Sequence, residues 1–233
     1  MSDNFSRLAD IAAEHAPEGL RGILLDLGVS SMQIDRPERG FSYMRTGPLD
    51  MRMNGGGGPG AAEYLAEVTE TDLGRVLREF GETRRARRIA RSILAARDAG
   101  ALASTADLRN AVEAVVGERD SFGELSKIFQ AIRIEINDEM GALDEALLAL
   151  PRALGSGGVA VVISYHSLED RRVKALFRRE SSGCLCPPEL PICACGHIPS
   201  LKLLNRRPLR ASAEEENRNP RARSARLRAA RRI

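Results

Sequence analysis

Two short apolar runs on either side of a long helical stretch constrain this chain more than any other feature. Ile23-Leu24-Leu25, closed by Asp26 and Gly28, reads as a strand over Leu20–Asp26 that is buried on both faces. Gly157-Gly-Val-Ala-Val-Val-Ile-Ser-Tyr165 is a second, β-branched run. Between them, from Ala61 to Leu150, apolar residues recur every three or four positions and strand signals are nearly absent. Thr69 or Thr71 can cap a segment through Phe80 that Gly81 stops, Thr105 can cap one through Val116, and Phe122 to Ile136 continues the same spacing. A short helix over Phe5–His15, a helix from Leu168 to about Arg179 and a last strand around Ser224 to Ala229 complete the pattern. Strand, helical insertion, strand, helix, loop and basic tail is the order of an α/β domain interrupted by an all-helical one. We therefore expect residues 1–36 and 151–233 to form one discontinuous domain, and residues 37–150, a loop followed by helices, to form the other. The run Gly55-Gly-Gly-Gly-Pro-Gly60 has no phosphate-loop lysine after it and reads as flexible linker.

Length and composition narrow the class. With 233 residues, 43% of them hydrophobic and 29% charged, the chain can bury a substantial core. No apolar run approaches the ~20 residues that span a bilayer, and no secretory apolar region follows Met1. All four cysteines fall in one loop, which argues against a disulfide framework and for a reducing cytoplasm. The net charge of +3 is unevenly spread: Leu201–Ile233 carries eleven Lys and Arg against three Glu, or +8, leaving −5 for the rest. A second basic run, Arg84-Arg-Ala-Arg-Arg-Ile-Ala-Arg91, sits in a helical pattern. Arg84, Arg87, Arg88 and Arg91 share one face of it, and Ile89, Ala90 and Ile93 lie opposite. Such stripes are ordinarily solvated faces, but two on a mildly charged chain strengthen the case for a polyanionic partner.

The segment after the first strand is where chemistry is expected. In open α/β sheets small ligands bind beyond the carboxyl ends of the strands. Asp26, followed by Gly28, Ser30 and Ser31, can meet a polar ligand while the backbone approaches closely; the alternative is a strand that simply ends in a turn.

Six ordered blocks carry a more specific signal. They are Asp26-Leu-Gly-Val-Ser-Ser31 with Gln33, Arg39-Gly-Phe-Ser-Tyr-Met-Arg45, Gly47-Pro-Leu-Asp-Met-Arg-Met53, Phe129-Gln-Ala-Ile-Arg-Ile134 with Asn137, Ile163-Ser-Tyr-His-Ser-Leu-Glu-Asp-Arg171, and Asn219-Pro-Arg-Ala-Arg-Ser224. Together they resemble the bacterial RsmH (MraW) family, S-adenosylmethionine-dependent methyltransferases that act on N4 of a cytosine in 16S ribosomal RNA. The resemblance implies a Rossmann-like class I methyltransferase sheet with a helical insertion domain that helps bind RNA. It places contacts to the methyl donor on Asp26, Gln33 and Phe5. It also implies that the family's opening strand with its Gly-Gly-His loop, and a further strand ending in a ribose-holding acid, are missing. A start codon assigned too far downstream or a trimmed chain is the expected explanation, with a natural half-site as the alternative.

An exocyclic amine is a poor nucleophile, so such an enzyme must align it with the methyl group and supply an acceptor for its hydrogens. Asp26 is the first candidate acceptor and His166, with Glu169 or Asp170, the next; the alternatives are that Asp26 only binds the donor and that His166 is a structural strand-end residue. Arg39, Arg45, Arg84, Arg88, Arg221 and Arg223 are candidate phosphate contacts, with a solvated face as the alternative for each. Cys184, Cys186, Cys193 and Cys195 could offer four thiolates to zinc, although Cys-x-Cys is less usual for zinc than Cys-x-x-Cys. A structural or redox-reactive loop competes with that reading. The resemblance suggests that this loop varies within the family, so no catalytic metal is expected. The rival to an enzyme is a non-catalytic ribosomal-RNA-binding or assembly protein. Oligomeric state is open, a homodimer included.

Overall fold

The computed structural model describes residues 3–54, 57–187, 190 and 192–233. Gly55 and Gly56 of the glycine run lie outside them. Two compact units emerge: residues 1–28 with 140–233, and residues 29–139. The divisions fall at 28/29 and 139/140, not at the expected 36/37 and 150/151. Val29 packs against the core of the second unit, and the helix that starts at Glu139 runs on to Ala153 in the first.

The first unit is built on a four-stranded mixed sheet. Its elements are α1 (Leu8–His15), β1 (Leu20–Asp26), β2 (Leu154–Ser164), β3 (Leu201–Leu203) and β4 (Arg226–Arg232), in the sheet order β1-β2-β4-β3. β1 and β2 are parallel, with Asp26 opposite Ile163, whereas β4 runs antiparallel to both β2 and β3. The long excursion between β1 and β2 is what a parallel pair requires, because no tight turn can join two strands pointing the same way. The second unit contributes α2 (Ser31–Asp35), α3 (Ala61–Glu67), α4 (Glu70–Glu79), α5 (Ala86–Asp98), α6 (Thr105–Val116) and α7 (Ser121–Asn137). It is followed by α8 (Glu139–Ala153), and α9 (Ser167–Glu180) follows β2.

β1 is buried on one face only, contrary to the sequence expectation. Ile23 and Leu25 are 7% and 9% exposed, but Leu24 between them is 67% exposed. Alternate side chains point to opposite faces, and β1 is an edge strand whose sole sheet neighbour among the described residues is β2. On the covered side, α9 packs against β2, β3 and β4 through its buried Val173 and Phe177. The last strand also begins later than expected. Pro220–Ser224 forms a turn of 3-10 helix, since proline has no N–H to give a ladder.

The helical unit follows its sequence pattern closely. Leu73, Leu77, Ile89, Ile93, Leu108, Ile128 and Ile132 are fully buried in one contiguous core. Each such side chain contributes roughly 1.5–3 kcal/mol through burial. Thr69 caps α4 by accepting from Asp72 N at 3.1 Å. The cap of α6, however, is Ser104 and not Thr105: Ser104 Oγ accepts from Asp107 N at 3.3 Å, and the Asp107 carboxylate takes Ser104 N at 2.8 Å. Thr105 is buried, with its hydroxyl given to the loop before it. It accepts from Gly47 N and donates to Arg45 O, both at 2.9 Å. Gly60 is not linker either. It is buried, its N–H donates to Glu63 Oε2 at 2.9 Å, and α3 starts beside it.

Candidate active site

At the carboxyl end of β1 the ladder persists one step beyond Asp26, since Leu27 N donates to Ile163 O at 3.0 Å. The chain then turns through Gly28 at φ +83°, a region that glycine enters without steric cost. Asp26 is exposed, and one of its carboxylate oxygens accepts from the hydroxyl of Tyr165 at 2.9 Å. The parallel register explains the meeting: Asp26 pairs with Ile163, so the residue just past β2 arrives beside the strand-end acid. Burial, and then the hydrogen bond to Asp26, push the Tyr165 hydroxyl up to about 12. It therefore stays protonated at neutral pH and remains a donor. Tyr165 was not singled out from sequence, although its place directly after the second apolar run was the available signal.

His166 stands at the start of α9. It is the N-cap residue there, and Glu169 three positions on accepts from both Tyr165 N (2.8 Å) and His166 N (3.3 Å). The imidazole is nine-tenths buried, and although Nε2 lies 3.1 Å from Glu169 Oε1, neither ring nitrogen makes a hydrogen bond among the described residues. Asp170 is likewise engaged: Arg228 grips it through two contacts, at 2.7 and 3.1 Å, and Arg226 adds a third at 3.1 Å. Burial pushes the Asp170 carboxyl up, but the two guanidiniums outweigh it and hold the group below the usual carboxylate range. The basic tail is thus partly a structural strand, and not a free cationic arm. Phe5 opens a 3-10 turn ahead of α1, half-buried, next to Asn4, whose side chain accepts from Ser6 N at 3.0 Å.

Beyond β2 and the first turn of α9 lies a cleft of about 170 Å³ lined by Tyr165, His166 and Ser167 on one side and Arg210, Arg223 and Arg226 on the other. Exposed Arg223 therefore faces a polar recess, whereas Arg221 is exposed in the same 3-10 turn and already has an interaction within the protein.

The remaining expected residues belong to the helical unit. Gln33 closes a capping box on α2: its carbonyl accepts from Ser30 N at 2.8 Å, and its amide nitrogen lies 3.4 Å from Met53 O. Arg39 donates to Arg52 O at 2.6 Å and Met53 O at 3.2 Å, and Arg45 donates to Asp35 O at 2.6 Å. Both guanidiniums brace the loop through residues 39–53. Gly40, at φ +70°, brings that loop so close to Pro48 O that a Cβ would fall 2.3 Å away. Met51 is fully buried with φ +57°, a strained setting for a side chain. Asn137, at the end of α7, holds it there: its amide donates to Met51 O at 2.8 Å while its carbonyl accepts from Met53 N at 2.7 Å. Such strain needs a surrounding structure that over-determines it, and Asn137 and Arg39 supply that.

Arg84 precedes α5 instead of riding on it, so it does not share the helical stripe. Arg87 and Arg91 both pair with Glu70, at 3.4 and 3.2 Å. Arg84 and Arg88 are exposed, with no ion pair among the described residues. They leave open positive charge on this unit.

The whole chain, residues 1–233, matches the model of the MraW methylase family, and it belongs to that family. It is 47% identical over 234 residues to the ribosomal RNA small subunit methyltransferase H of Heliobacterium modesticaldum, an alignment covering 99% of this chain and 75% of the relative. The protein of the same name from Geobacter sp. is 44% identical, with the same coverage, and that of Dehalococcoides mccartyi is 45% identical over all of this chain and 66% of its own length. These relatives lend no support to a homodimer. No helix among the described residues is long and apolar enough to cross a membrane.

Proposed function

We propose that this chain belongs to a methyltransferase that moves a methyl group from S-adenosylmethionine to N4 of a cytosine in 16S ribosomal RNA. The reading is carried by one observation: in a member of the MraW methylase family, an exposed carboxylate stands at the carboxyl end of a parallel strand, oriented by a protonated tyrosine. The printed names of the relatives supply the small-subunit ribosomal RNA.

The donor, when bound, provides an electrophilic methyl on a sulfonium. This chain's residues have the other tasks. The cytosine amine has its lone pair drawn into the ring and must shed a proton as the new carbon–nitrogen bond forms. Asp26 is suited to accept that proton, since one carboxylate oxygen is fixed by Tyr165 and the other has no partner among the described residues. A general base in this position contributes about 10²–10⁴-fold. Tyr165 acts through Asp26 by fixing the carboxylate's direction. Phe5 and Asp26 fit an ordinary donor contact, one apolar and one polar. Gln33 fits it less simply, because its amide already serves α2 and Met53. An unstacked base would be held mainly through its phosphates; Arg84, Arg88 and Arg223 have open or recess-facing guanidiniums for this, whereas Arg39 and Arg45 are engaged with backbone carbonyls of the segment 35–53.

The test uses the product of the complete reading frame that contains this chain, with labelled donor and small ribosomal subunits, and maps the modified nucleoside by mass spectrometry. Methyl label on cytidine N4 is expected, with Asp26→Ala lowering the single-turnover rate by about 10²-fold or more and Tyr165→Phe by less. A well-folded product that transfers no label, or an Asp26→Ala variant of unchanged rate, overturns the reading.

A further inference from the structure

The segment between α9 and β3 has an unusual construction. From Ser181 to Ser200 there is no helix or strand among the described residues. Its large apolar side chains have no core to enter: Leu190, Ile192 and Ile198 are 51%, 79% and 82% exposed. A loop of this length with neither secondary structure nor a core needs another means of support. All four cysteines of the chain stand in it, unbonded to one another, and their sulfurs lie within 4.8 Å of each other.

We propose that Cys184, Cys186, Cys193 and Cys195 hold a structural zinc ion. The sulfurs of Cys184 and Cys193 are 3.4 Å apart, those of Cys193 and Cys195 3.6 Å, and those of Cys184 and Cys195 3.8 Å. A tetrahedron with Zn–S bonds of about 2.3 Å has edges of about 3.8 Å. These three spacings fall within about 0.4 Å of that edge, the Cys186 sulfur lies within 4.8 Å of the others, and all are well beyond the roughly 2.05 Å of a disulfide. The backbone supplies the outer layer that a tetrathiolate site needs. Leu185 N donates to the Cys195 sulfur at 3.3 Å, Cys186 N to Cys184 at 3.4 Å, and Ala194 N to Cys186 at 3.3 Å. The two Cys-x-Cys arms thus present their amides to each other's sulfurs, and also within one arm.

The nearby histidine is committed elsewhere: His197 Nε2 lies 3.0 Å from Arg179 O and serves as its donor, tying the loop back to α9. Ser200 adds a second tie, donating to Glu180 Oε2 at 2.6 Å. Four thiolates around a divalent ion carry a net −2, and the neighbouring surface is charged to match. A cleft of about 590 Å³ is walled by Arg171, Lys174, Arg178 and Arg179 on α9 and by Cys184 and Cys186 on the loop. With four thiolates filling a tetrahedral shell, the ion is structural: it fastens the loop as one wall of that basic cleft.

The experiment is metal analysis of the full chain, purified without chelator under a non-thiol reductant, followed by X-ray absorption at the zinc edge. One zinc per chain with a shell of four sulfurs at about 2.3 Å is expected. The double variant Cys186→Ser/Cys195→Ser should lose the metal while the far-ultraviolet circular dichroism of the helices is kept. Cobalt(II) put in place of zinc should give the intense visible bands of tetrahedral thiolate coordination. A metal-free chain with four titratable thiols, a pair of disulfides, iron in place of zinc, or zinc bound through nitrogen and oxygen would each overturn the proposal. None of these measurements depends on methyl transfer.

Discussion

In the helical unit, a stripe of fully buried aliphatics, Leu73, Leu77, Ile89, Ile93, Leu108 and Ile132 among them, closes the core, and the largely buried Arg133–Glu139 ion pair joins two residues only six apart in sequence. In the sheet unit, the connections that fix the candidate site are polar and join residues far apart in sequence: Tyr165 to Asp26, and Asp170 to Arg226 and Arg228. The two regions should therefore fail differently. An apolar core loses stability in proportion to the volume removed. A buried ion pair loses more when one partner alone is deleted, because the survivor is left charged and unpaired.

Asp170→Ala should have the largest effect. It strands the 7%-exposed Arg228, for a cost of about 3–5 kcal/mol, read as a lowered urea midpoint. Acid should act on the same pair. The folded-state pKa of Asp170 is lowered from its unfolded value near 3.9, so its contribution is complete above about pH 4 and is lost as pH falls through the folded value. Asp170→Asn should flatten that acid limb, and a variant with the wild-type limb would remove Asp170 from this role. Leu77→Ala comes next, at about 3 kcal/mol, through a cavity in the helical core with no pH dependence of its own. A pH-sensitive loss there would break the comparison.

The double variant Arg84→Ala/Arg88→Ala tests the surface of the helical unit. These guanidiniums have no carboxylate partner among the described residues, so stability should change little. Affinity for small-subunit ribosomal RNA should drop, and the slope of its logarithm against that of salt should shrink by about 1.5–2 if both arginines meet phosphates. Arg87→Ala/Arg91→Ala, which frees Glu70, is the control. An unchanged slope in the first variant returns Arg84 and Arg88 to the solvated face.

How much of this was legible in sequence follows from the same contrast. Helical periodicity is local, so α4 to α7 could be outlined from spacing alone, and Thr69 could be named as a cap because its partner is three residues away. β1 matched its expected residues, yet its exposed Leu24 did not follow from an apolar run, because burial depends on which strands flank it. The Tyr165–Asp26 bond spans 139 positions and the Arg228–Asp170 bond 58, and no pattern within a window reaches that far. Arginines are the clearest case. Residue type gave the same reading to Arg39, Arg88 and Arg223, but the fold makes one a loop brace, one a bare surface charge and one a wall of the polar cleft beside Tyr165.

The smallest expected effect separates a local polar bond from a distant one inside the helical unit. Ser104 caps its own helix, with Asp107 reaching back in a reciprocal pair, whereas the adjacent Thr105 turns its hydroxyl to the loop at 45–47. Ser104→Ala should cost about 1 kcal/mol and Ser104→Gly only a few tenths, since glycine lets water reach the bare amides. Thermal unfolding of the two variants checks the order. Hydrogens bonded to Ser104 and Ala103 hold the Asp107 carboxyl below its usual range. Its side of the box should therefore weaken only in acid, as pH falls below about 4 toward that lowered value. If Ser104→Ala proved neutral, α6 would owe its start to the buried Thr105 contact, and even the most local of these polar bonds would depend on the tertiary fold.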